Sequence, residues 1–150
     1  MSHPLPPLSS ETAARLVPPS ARADLLEVLR QAVDLLPVAE AVVAACDAAG
    51  EKGIEPAKTA GTVVSAYIQM TRRVRRLAIA PALRTRLAQL LEYHSELVGQ
   101  ASLMAYGERT ELTERALSTA GLGAPAVELT RLADQLTTSL DLGVRSQEAG

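Results

Sequence analysis

Two short stretches concentrate the side chains able to do chemistry. The first is Glu92-Tyr93-His94-Ser95-Glu96. A histidine titrates near physiological pH, so on an apolar helix face it can serve as acid, base or metal ligand. Its companions argue against a metal. Carboxylate-bridged di-iron bundles place a Glu three residues before a His, and neither Glu92 nor Glu96 stands there relative to His94. The apolar positions of the other helices supply no further carboxylate. Two readings remain for His94. The stronger is a core histidine hydrogen-bonded to backbone or to a neighbouring side chain. The other is a ligand pocket or pH-sensitive interface, with Tyr67, Met70 and Cys46 as the further lining candidates.

The second stretch is Arg72-Arg73-Val74-Arg75-Arg76, followed across Pro81 by Arg84 and Arg86. At 100° per residue Arg72 and Arg76 point away from Val74, while Arg73 and Arg75 flank it. The six arginines are candidates for contact with a protein partner or with phosphates. No aromatic residue interleaves with them, no Gly-rich loop accompanies them, and no helix-turn-helix pattern is present, so nucleic acid ranks below an acidic protein partner. The more ordinary reading is a solvated face, with Glu92, Glu96 and Glu128 as salt-bridge partners.

Other motifs carry less. Cys46 is the only cysteine, which rules out an internal disulfide and a cysteine-based metal cluster. Pro4-Leu5-Pro6-Pro7 has a PxxP spacing, but a proline-rich chain start reads first as a disordered arm. Gly61 reads as a close-packing residue near a helix start rather than part of a phosphate loop. The chain has no Gly-x-Ser-x-Gly elbow, no GxGxxG and no P-loop. Neither a catalytic constellation nor a cofactor or metal site is expected.

The elements that position these residues follow from composition and period. The 150 residues match one domain with a core large enough to fold unaided. Hydrophobic residues make up 47%, yet Phe and Trp are absent and Tyr occurs three times, so the core is built from Leu, Ala, Val, Ile and Met. That palette suits helices and gives a sheet little to pack. Arg outnumbers Lys thirteen to two, which with the Ala excess points to a GC-rich, actinobacterial coding bias. The net charge of −2 gives no global attraction to nucleic acid or anionic lipid. The start has neither a basic nor an apolar leader region, and the longest apolar stretch, around Leu35 to Ala49, is interrupted by Pro37, Glu40 and Asp47. The expected location is cytoplasmic, without a membrane segment.

Residues 1–17 read as a mobile proline-rich arm with a short helix from about Ser10 to Val17. The domain proper is expected over 18–142, with a polar, fraying tail over 143–150. Ser20 is the expected cap of a helix whose seam is Leu25, Leu29, Ala32, Leu36, Ala39, Val43 and Cys46, each three or four residues apart. Pro37 inside it is expected to kink or restart the helix. Pro56 opens a second helix with seam Ala60, Val63, Tyr67, Met70, Val74 and Leu77. A third runs from about Ala82 to Tyr106 with seam Leu83, Leu87, Leu90, His94, Leu97, Ala101 and Met104. Thr110 caps a short helix through Leu117, and Pro125 starts the last one, with Leu129, Leu132, Leu136 and Leu140 inward. No segment alternates with period two. The fold class is therefore all-α, an antiparallel bundle of four to five helices with heptad-spaced seams.

Three stretches, Leu29–Ala45, Thr62–Leu77 and Leu83–Leu97, resemble an uncharacterised family of short all-helical proteins from Streptomyces-type actinobacteria. The family's early Leu-Leu-x-Pro-x-Val-Glu-like stretch is approached by Leu36-Pro37-Val38-Ala39-Glu40. Its acidic-His-Tyr-Glu cluster is approached by Glu92-Tyr93-His94 with the aromatic and the histidine exchanged. The likeness spans about half the chain and implies a helical fold; the family has no assigned activity, so it implies no function.

On this reading the leading function is a non-catalytic interaction or regulatory module that self-associates or holds a protein partner. A small-molecule pocket near His94, enzymatic or not, comes second, and nucleic-acid binding through Arg72–Arg76 third. The seam logic has a direct test: Leu90→Ala is expected to cost roughly 2–5 kcal/mol in urea denaturation, the loss typical of a buried leucine. A change near zero would mean that the third seam is misplaced.

Overall fold

Proline punctuation sets where the helices begin. A computed structural model describes residues 10–48, 54–105 and 123–148. Among these, the chain forms five α-helices and no strand: α1 (Ser10–Leu16), α2 (Pro19–Ala48), α3 (Ile54–Arg76), α4 (Pro81–Ala105) and α5 (Gly123–Glu148). Pro19 and Pro81 are the first residues of their helices, and Pro56 and Pro125 lie in the first turn of theirs. A missing N–H is harmless there because the first-turn N–H groups have no intrahelical acceptor. No helix among the described residues is long and apolar enough to cross a membrane.

Several local expectations are revised. Ser20 lies inside the first turn of α2; the carbonyl that opens the helix belongs to Pro18, which accepts from the Ala21 N–H at 3.0 Å. Pro37 does not restart α2, which runs through it unbroken, with the proline exposed to solvent. The stretch 10–17 is not a free arm, because α1 packs against α5 and the side chains of Ala13 and Val17 are fully buried. α5 continues to Glu148, through most of the segment expected to fray. The expected helix from Thr110 to Leu117 lies outside the described residues.

The seams hold closely. All six seam residues of α3 are buried, and so are the six of α4 from Leu83 to Ala101. α4 also buries Ala88, Leu91 and Val98, a second stripe beside the first. That wider face reflects its position, since α4 packs against α2, α3 and α5. On α2 the stripe follows Leu25, Leu29, Ala32, Leu36 and Ala39, then passes through Val42 rather than Val43 before reaching Cys46.

Two tethers define one end of the molecule. The Ala80 N–H, in the four-residue α3–α4 connection, donates to the Leu16 carbonyl at 2.8 Å, and Arg22 Nε donates to the Val17 carbonyl at 3.4 Å. Leu77 and Ile79 of that connection are buried. Arg86, early in α4, is ion-paired with Glu128, early in α5. The ion pair brings the beginnings of α4 and α5 together.

Docking of α1 is checked by Val17→Ala. Removing two buried carbons should lower stability by about 1–2 kcal/mol at the usual value per methylene. Unchanged urea unfolding would mean that the buried Val17 at the end of α1 contributes nothing to the core.

Candidate functional site

The polar exceptions within the seams meet only in part. Tyr67 from α3 and His94 from α4, both fully buried, face each other with ring centroids 5.5 Å apart and planes 26° from parallel. Tyr93 approaches the other side of the imidazole edge-on, at 5.8 Å and 85°. His94 Nδ1 lies 2.6 Å from the Leu90 carbonyl oxygen, one turn back on the same helix. A carbonyl only accepts, so Nδ1 carries the proton and Nε2 is left as a lone-pair acceptor. Neither Nε2 nor the Tyr67 hydroxyl has a hydrogen-bond partner among the described residues.

Electrostatics keeps both rings neutral. Burial lowers the imidazole pKa from its ordinary 6.5, only partly offset by the bond to the Leu90 carbonyl. Burial also raises the Tyr67 phenol well above its usual value, with the Glu40 carboxylate of α2 adding to the effect. Desolvation disfavours the charged form in each case. Cys46 is buried, which pushes its thiol upward and away from the reactive thiolate.

Of the four expected pocket residues, Met70 alone lines the cleft between α2 and α3, together with Leu35, Ala66 and Arg73, among others. Cys46 stands eleven residues beyond Leu35 on α2, about 16 Å along the axis at 1.5 Å per residue. A single heptad label said that each of these residues faces inward and left their levels open. No group of three or more His, Cys, Asp or Glu among the described residues could hold a metal ion.

The arginines separate into engaged and free. Arg73 donates to Gln31 Oε1 at 3.1 Å and lies 3.4 Å from a Glu27 carboxylate oxygen. Arg75 is paired with Glu92 and Arg86 with Glu128. Arg84 Nη1 reaches the Leu77 carbonyl at 3.4 Å, closing the α3–α4 connection. Arg72 and Arg76 are exposed and make no ion pair within the described residues. The candidate phosphate face is thus interrupted by carboxylates at three of its six positions.

A feature that the sequence reading passed over is a groove of about 550 Å³ between α2 and α5. Its floor includes Leu26 and Val33, seven residues apart beside the α2 seam and only half-buried. That repeat was the available signal; it reads as an edge of the core until α5 is placed next to it.

No family model, curated protein or solved structure matches the chain.

The neutral imidazole makes stability depend on pH. Its native pKa is lowered, so below about pH 6.5 the unfolded chain binds more protons than the native one. Stability is therefore fully present above that pH and is lost as pH falls toward the native titration. The melting temperature should decline from neutral toward about pH 5.5, and His94→Leu should flatten this decline. Parallel profiles for the two proteins would contradict a neutral buried His94.

Proposed function

We propose that this protein is a non-catalytic helical interaction module, an antiparallel-type bundle whose helices hold a protein partner or a second copy of the chain. The observation that carries this reading is the groove between α2 and α5. Ala23, Leu26, Leu29 and Val33 from α2 and Ala133 and Thr137 from α5 line it, and most of the surface they present is apolar. Apolar grooves of this kind are where a partner side chain gains most from leaving water.

The polar residues of the interior support a binding role over catalysis. His94 and Tyr67 are neutral and fully buried, away from the solvent through which a general acid or base meets its substrate. The buried thiol is equally unsuited to attack. A second reading, phosphate or nucleic-acid contact, ranks below the first because, of its six candidate arginines, Arg73, Arg75 and Arg86 are paired with carboxylates.

Thr137 is exposed and lies in the groove, so Thr137→Arg should leave folding intact while blocking association. Light scattering over a concentration series, together with pull-down and partner identification, is expected to show a dimer or a captured partner for the parent chain and loss of it for the variant. A strict monomer that captures nothing would sink the proposal.

A further inference from the structure

The α2–α5 groove also specifies the chemistry of its occupant. We infer that it receives a basic amphipathic helix from a protein partner, an inference that rests on the interaction-module reading above. Each element bordering the groove is a helix, whose backbone groups are satisfied internally, so an entering segment finds no strand edge to pair with. The segment must satisfy its own backbone, which a helix does, presenting anchors at i, i+3, i+4 and i+7 to the apolar floor. From Ala23 to Asp34 the groove runs eleven residues along α2, about 16 Å at 1.5 Å per residue, room for three turns.

Charge decides which amphipathic helix fits. The border carries three carboxylates, Glu27, Asp34 and Asp134, against one guanidinium, Arg30. Glu27 shares its charge with Arg73. Asp34 on α2 and Asp134 on α5, one on each bank, have no ion pair within the described residues. Lysine or arginine flanking the apolar stripe of the occupant would meet a carboxylate on either side, whereas an acidic helix would meet repulsion on both. Complementarity of this kind governs partner choice and encounter rate more than raw affinity.

The experiment uses the full chain and two labelled synthetic helical peptides with one leucine stripe, the remaining positions lysine in one and glutamate in the other. Fluorescence anisotropy is expected to give saturable binding of the lysine peptide only. Asp34→Asn with Asp134→Asn should weaken it about tenfold, and Thr137→Arg should abolish it, with helical circular dichroism confirming that each variant is folded. Equal binding of both peptides, or an affinity indifferent to the two aspartates or to Thr137→Arg, would overturn the basic-helix assignment and leave the module reading standing. Binding of neither peptide, with concentration-dependent mass that Thr137→Arg removes, would make the occupant a second copy and likewise overturn it. Binding of neither, with a monomer that captures nothing, would remove both.

Discussion

The contact between α3 and α4 is the interaction on which the rest of the described structure depends. These two helices pack more extensively than any other pair, and α4 in turn supports α2 and α5. The chain must make this contact without phenylalanine or tryptophan. Leucine, alanine and valine reach interior density only when helices approach closely and their side chains interdigitate. At the centre of this aliphatic contact sit the two rings that break the pattern, Tyr67 and His94, stacked on one another. They fill volume that the aliphatic palette would leave open, while each leaves a polar atom without a protein partner.

That arrangement explains why the polar interior does not read as a catalytic centre. A fully buried imidazole has its proton held on Nδ1 by a local carbonyl, and burial keeps its other nitrogen unprotonated at neutral pH. The phenol beside it is held protonated by the same desolvation. Two neutral groups in a sealed layer adjust the stability of the contact with pH and lend it orientation. The surface where α2 meets α5 instead presents an apolar lining beside the carboxylates of Glu27, Asp34 and Asp134.

The outer charges follow a related economy. Arg73, Arg75 and Arg86 each find a carboxylate or amide on another helix, and Arg84 closes a connection. Most of these pairs are well exposed and add little to stability, because solvent screens them. Their consequence is for recognition: they consume much of a basic run that by itself suggests a phosphate surface. Asp34 and Asp134, beside the α2–α5 groove, make no ion pair within the described residues.

The heptad spacing marked the described helices and most of the residues that face inward. Leu83, Leu87, Leu90 and His94 on α4, and Tyr67, Met70 and Val74 on α3, are buried as their periodicity requires. Helix direction and side-chain bearing are local properties, set within a turn or two, so a window of sequence contains them. Only the tertiary structure decided which residues of different seams stand at one level, bringing Tyr67 of α3 to His94 of α4. It also decided that α5 begins beside the beginning of α4, that Arg75 and Arg86 are neutralised by Glu92 and Glu128, and that Leu26 and Val33 border a groove. Those outcomes depend on distances between helices far apart in the chain, and no periodicity within a single helix carries that information.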